Sequence, residues 1–126
     1  GERGVTISID RTGHFVDEMN IEFTDIHVSI DLGKLGDVLE SAGIRISFDG
    51  FSDGRFLTIA RQLRLRGYKG HIRAAGEIVP DQFPMALKVG VDSIEISESL
   101  ARRCPQDQWV SMGQRIQGNY QARLTG

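Results

Sequence analysis

FDGFSDGRFLTIARQLRLRGYKGHIR, residues 48–73, is the stretch on which the fold turns. Phe48 closes a strand, and Asp49-Gly50-Phe51-Ser52-Asp53-Gly54-Arg55 makes a Gly-rich acidic turn. Gly54–Arg66 then reads as a helix, because Phe56, Ile59, Ala60 and Leu63 recur at the spacing of one helical face. Gly67 supplies its stop, and Ile72–Ala75 is the next strand. A strand, turn, helix and strand joined by links this short imply a parallel pair with a right-handed crossover.

The same unit repeats on both sides. Ile26–Ile30 reads as a strand, Leu32–Ala42 as a helix ended by Gly43, and Ile44–Phe48 as a second strand. Downstream, Pro80–Val89 reads as a helix ended by Gly90, and Ser93–Ile96 as a fourth strand. Pro80 and Pro84 suit a first helical turn, whose N–H groups lack partners in any case. Ahead of this core, Val5–Asp10 alternates, and Arg11-Thr12-Gly13 offers a turn before Phe15 and Val16, which predicts a β-hairpin. Met19–Phe23 belongs either to its second arm or to another short strand. Ser97-Glu98-Ser99 is placed to cap a short helix through Arg103. Beyond Pro105 only Trp109, Val110, Met112 and Ile116 give an apolar signal.

Strands covered by helices on both faces are apolar nearly throughout. Here Ile26, Val28 and Ile30 alternate with His27 and Ser29, and Ile44, Ile46 and Phe48 with Arg45 and Ser47. Ile72 and Ala74 alternate with His71 and Arg73, and Ile94 and Ile96 with Glu95. All helices are therefore expected on one face of a parallel four-stranded sheet, the arrangement of half a (βα)-barrel. A flavodoxin-like sheet is the alternative. The chain reads as one α/β domain: a hairpin region 1–25, a βα core 26–97 and a C-terminal helix and tail 98–126.

Composition bounds the function. A chain of 126 residues with 40% hydrophobic and 25% charged residues suits a single soluble domain. No apolar run approaches a membrane span, and the polar start Gly1-Glu2-Arg3-Gly4 does not resemble a signal peptide, so a cytoplasmic setting is expected. A formal net charge of -2 argues against nucleic acid or anionic membranes as partners. Cys104 is the single cysteine, which excludes an internal disulfide and a thiolate metal site. His14, His27 and His71 are scattered, so no metal is expected. There is no Walker sequence, no GxGxxG, no CxxC and no nucleophile elbow, and no cofactor is expected either.

Ligands of parallel α/β sheets sit beyond the C-terminal strand ends. These ends are Asp31, the turn from Asp49 to Arg55, Ala75-Gly76-Glu77, and Ser97-Glu98. Asp53 suits a helix cap, or else it orients Arg55 beside an anion at the helix start. Gly54 allows close backbone approach but is equally explained by turn geometry. Arg61 and Arg64 lie off the apolar stripe of their helix, either as solvated charges or as partner contacts. Alternation puts Arg73 on the polar sheet face with Arg45, either paired with Glu95 or lining a binding surface. Asp81 and Gln82 open the third helix, where an aspartate complements the helix dipole.

These residues resemble a bacterial family called domain of unknown function 934. The pattern reads Phe51-x-Asp53-Gly54-Arg55, Ala60-Arg61-x-Leu63-Arg64, Gly67-Tyr68-x-Gly70-x-x-Arg73-Ala74-x-Gly76, Asp81-Gln82 and Gly90-x-Asp92, and spans about Phe48 to Ile96. Members are typically encoded beside sulfite reductase and other sulfate-assimilation genes. The resemblance thus implies an accessory protein of assimilatory sulfate and sulfite reduction, with sulfite reductase or a neighbouring enzyme as partner. It names no catalytic residue. The residues themselves leave two other readings open: a small oxyanion- or phosphate-binding enzyme domain with its site at the strand ends, and a homodimer of half-barrels.

Overall fold

The computed structural model describes residues 6–17, 20–51 and 54–114. Its strands are β1 (Thr6–Asp10), β2 (Phe15–Val16), β3 (Phe23–His27), β4 (Gly43–Phe51), β5 (His71–Glu77) and β6 (Ser93–Ser97). They form one sheet in the order β2-β1-β6-β5-β4-β3. The run β3-β4-β5-β6 is parallel, and β1 joins β6 antiparallel. Parallel strands in unbroken chain order wind as a half-barrel does, whereas a flavodoxin-like sheet reverses its strand order. The half-barrel reading is the one the chain adopts.

Helix α1 (Arg55–Leu65) buries the predicted stripe of Phe56, Ile59, Ala60 and Leu63. It ends in a Schellman motif: Gly67 N donates to Arg64 O and Tyr68 N to Leu63 O, with Gly67 at φ 92°. Helix α2 (Phe83–Lys88) ends the same way at Gly90, φ 105°. A 3-10 turn over Pro80–Gln82 leads into it, so the predicted helix Pro80–Val89 is split. Helix α3 (Glu98–Arg103) is capped by Ser97, whose hydroxyl accepts from Leu100 N at 3.1 Å. Ser97→Ala is expected to destabilise the fold by about 1 kcal/mol, read as a lower urea midpoint with an unchanged slope.

Two predicted elements differ. Leu32–Ala42 is not an α-helix; Leu32–Val38 is a 3-10 helix with Leu35 its buried residue. Gly33 and Gly36 weaken helix formation there, and Gly43 opens β4 instead of stopping a helix. The first parallel strand is Phe23–His27 and not Ile26–Ile30. Past His27 the chain turns, with Ser29 N donating to His27 Nδ1 at 3.1 Å and Ile30 N to His27 O at 2.9 Å. The hairpin forms as β1 and β2; Val5 and Met19 lie outside the described residues.

The core lies on the helix side, where Ile26, Ile44, Ile46, Ile72, Ala74, Ile94 and Ile96 are buried. Residues 106–114 are helical and bring Trp109 fully into this core, its ring 5.5 Å from Phe83 and its Nε1 donating to Cys104 O at 2.9 Å. Gln106 Oε1 accepts from Phe15 N at 2.7 Å, which ties this helix to the hairpin. Chain topology also explains why the other face is half closed. The link from β2 to β3 must pass from one edge of the sheet to the other. Its end lies over the polar face: a Cβ built on Gly43 would meet Ile21 Cγ2 at 2.7 Å and Phe23 Cδ1 at 2.8 Å.

Candidate functional site on the polar face of the sheet

Strand register sets Asp25, Arg45, Arg73 and Ser93 side by side across β3, β4, β5 and β6. Two adjacent arginines repel unless a carboxylate lies between them. Asp25 grips Arg45 through two hydrogen bonds, Nε to Oδ1 at 2.6 Å and Nη2 to Oδ2 at 3.1 Å. That bond holds the Arg45 pKa above its ordinary value despite partial burial. Glu95 Oε1 then accepts from both Arg45 Nη1 at 3.3 Å and Arg73 Nη1 at 3.2 Å. Of the two readings left open for Arg73, the ion pair with Glu95 is present.

Arg73 is 1% exposed, a rare condition for an arginine. The Phe23 ring lies over its guanidinium at 4.9 Å, and Nε donates to Ser93 Oγ at 3.0 Å. Its Nη2 has no hydrogen-bond acceptor among the described residues. Ser93 also meets His71 Nε2 at 2.8 Å. A hydroxyl that accepts from Arg73 can give its own proton to a neutral imidazole. Burial pushes the His71 pKa down, with Arg73 and Arg64 acting the same way and Asp92 opposing them. The unfolded chain therefore protonates His71 first, and stability falls as pH drops through about 6.5. His71→Asn should flatten that part of a urea-midpoint profile between about pH 7 and 6.

Above this row the face opens. β5 presents Ala75 and then Glu77, and the small Ala75 side chain leaves a hollow of about 360 Å³ at the C-terminal strand ends. Glu95, Glu77, Gly76, Ser97 and Phe48 line it. The backbone at Gly76 lies against Phe48, since a Cβ there would fall 2.6 Å from Phe48 Cδ2. Phe48 in turn stacks on Phe56 at 5.4 Å. Glu77 Oε1 accepts from Ser97 N at 3.3 Å.

Below the sheet, Arg64 builds a separate knot. Its guanidinium donates to Gly90 O from Nε at 3.2 Å and from Nη2 at 2.8 Å, to Tyr68 O at 2.8 Å, to Gly70 O at 2.9 Å and to Asp92 Oδ2 at 2.8 Å. An arginine has no donors beyond those. Asp92 Oδ2 also accepts from Ile72 N, and Tyr68 donates its hydroxyl proton to Ser41 O at 2.9 Å. Burial raises the Tyr68 pKa. Side chains are unwelcome here: a Cβ at Gly90 would lie 2.7 Å from Arg64 Cγ, and one at Gly70 would lie 2.9 Å from Ala42 O.

The predicted site residues thus fall in different places. Gly54 and Arg55 open α1, with Gly54 at φ 96° and Arg55 exposed, and Asp53 lies outside the described residues. Arg61 is exposed on α1 and makes no ion pair among the described residues. Arg64 is a clamp of the fold. Arg73 and Gly76 share β5. Arg73 does not meet Arg55 at one end of the sheet: it is opposite Arg45, well before the end of β4 at Phe51, after which α1 begins. Asp81 is exposed, and Gln82 Oε1 accepts from Val79 N at 3.2 Å. Phe23, Asp25 and Ser93 were not legible as members of the polar face, because their roles depend on cross-strand register.

Fold and site together define a small α/β half-barrel domain with an ion-paired sheet face. Residues 28–126 match the family described as Bacterial protein of unknown function (DUF934), and the chain belongs to that family. No curated protein and no solved structure matches the chain. The match extends well beyond residues 48–96 and takes in the helix carrying Trp109. Among the described residues, no helix is long and apolar enough to cross a membrane.

Proposed function

We propose that this chain is an accessory protein of assimilatory sulfate and sulfite reduction, docking on a partner enzyme such as sulfite reductase through the outer face of α1. The supporting observation is a mixed apolar and basic patch. Leu65 is 68% exposed on α1, flanked by Arg66 and by Arg61 one turn earlier. Arg66 Nη2 donates to Leu32 O at 3.1 Å, which brings the exposed Leu32 alongside. An apolar centre with basic neighbours complements an acidic partner surface with an apolar pocket. The sulfur-assimilation assignment rests on what the family resemblance implies.

The alternative, an oxyanion- or phosphate-binding enzyme domain at the strand ends, has weaker support, since carboxylates line the hollow there. Mixing the chain with purified sulfite reductase tests the leading reading. Co-elution on gel filtration, with a changed rate of sulfite reduction, is the expected result. Separate elution and an unchanged rate would overturn it.

A further inference from the structure

Two surfaces of this chain complement each other and do not pair within one molecule. The first is the outer face of α1, where Leu65 stands between Arg61 and Arg66 with Leu32 alongside. The second is a groove of about 310 Å³ between the 3-10 turn Pro80–Gln82 and the helix over residues 106–114. Pro80 and Met112 give it apolar walls, and Met112 is held in place by packing on the core. Asp81 and Asp107 also line it, one from each element, and both are exposed. Neither makes an ion pair among the described residues, and the same holds for Arg61 and Arg66.

Two uncompensated carboxylates around an apolar groove repel an acidic partner and attract a basic one. A fitting occupant therefore presents an apolar side chain flanked by cations, on a ridge narrow enough to enter. Helix α1 presents that ridge: Arg61 lies one turn from Leu65, and Arg66 follows it directly. We propose that the groove between Pro80 and Met112 receives the outer face of α1 from a second copy of this chain. Leu65 enters between the apolar walls, and Arg61 and Arg66 lie against Asp81 and Asp107. Resting on the reading of α1 as a docking face, this contact adds a regulation, because self-association occupies the face that the partner enzyme needs. A contact this small is weak and depends on concentration.

Sedimentation equilibrium of the whole chain tests this. The average mass should rise as the concentration approaches about 1 mM, the scale of weak affinities. It should fall back toward the monomer in about 0.5 M salt, where charges are screened. Two charge-reversed chains give the decisive comparison. Arg61→Glu with Arg66→Glu makes both surfaces acidic, and Asp81→Lys with Asp107→Lys makes both basic, so each chain alone should stay monomeric. Mixed in equal amounts they should associate again, because each surface then meets one of opposite sign. Both aspartates sit in first helical turns, so their reversal slightly destabilises the fold; regained association in the mixture is a result that misfolding cannot produce. Adding Leu65→Ser to both chains should weaken the mixed complex roughly tenfold, which attraction of net charge alone would not. A parent chain monomeric at every concentration, self-association of either reversed chain alone, or a mixture that stays monomeric would each overturn the proposal. The first of these would leave the groove to a different, basic protein. The Asp81→Lys, Asp107→Lys chain keeps α1 intact and should still bind sulfite reductase. That binding without self-association of the parent strikes this proposal alone, and self-association without reductase binding strikes only the partner reading.

Discussion

Arg64→Met is expected to destabilise the domain by about 3 kcal/mol, the lower end of the range for breaking a buried charge pair. The low end applies because Arg64 and Asp92 each keep about a quarter of their side-chain surface in water. The effect is still large, since one guanidinium joins the end of α1, the loop into β5 and the loop into β6. Its removal leaves the carbonyls of Tyr68, Gly70 and Gly90 short of donors, and Asp92 with the longer Arg11 contact at 3.7 Å in place of its close ion pair. A melting temperature lower by roughly 10 °C would be the readout. Arg64→Lys should recover little, because a single ammonium cannot reach this spread of acceptors. A variant that melts like the parent would show that the knot contributes nothing.

Trp109→Ala is expected to cost about 3–5 kcal/mol, the usual range for truncating a buried Trp or Phe. Trp109 is fully buried, and its Nε1 bond to Cys104 O fixes its orientation. Its backbone also packs against the hairpin turn, where a Cβ on Gly13 would fall 2.5 Å from Trp109 C. The loss therefore acts at the seam between the hairpin and residues 106–114. Urea denaturation followed by far-UV circular dichroism measures it; Trp109→Phe should restore more than half of the difference by refilling the volume.

Much of the fold was legible because its signals are local. The stripe Phe56, Ile59, Ala60, Leu63 and the stop at Gly67 mark α1 without any tertiary knowledge. Alternation of Ile44 with Arg45 and of Ile72 with Arg73 favoured a one-sided sheet, while the flavodoxin-like alternative is excluded by the strand order itself. What stayed hidden depends on contacts distant in sequence. The Leu32–Val38 segment has helical spacing, yet Gly33 and Gly36 leave it only a 3-10 path. The start of β3 is set by pairing of Phe23 with Gly43, which periodicity does not contain. Residues 106–114 show few apolar positions because one large ring, Trp109, does most of the burying.

The site was less legible for a similar reason. Helical spacing places Arg64 off the apolar stripe, as it does Arg61. The difference between them is that backbone carbonyls of Tyr68, Gly70 and Gly90 surround Arg64, and carbonyl positions leave no mark on residue type. Several of the residues that carry the family resemblance, from Arg64 through Tyr68 and Gly70 to Gly90 and Asp92, meet in this one knot. Their spacing reflects a fold requirement. Arg73 was correctly placed on the polar face, but the covering Phe23 ring and the hollow above Ala75 depend on strand order and register.

A docking role for the outer face of α1 is tested most directly by the affinity of purified sulfite reductase for the whole chain and for the double variant Arg61→Glu, Leu65→Glu. Both substituted side chains are exposed, so the melting temperature should stay within a few degrees of the parent. The affinity should fall by roughly a hundredfold, with salt weakening the parent complex more than the residual one. An affinity unchanged by the double variant would contradict docking through this face.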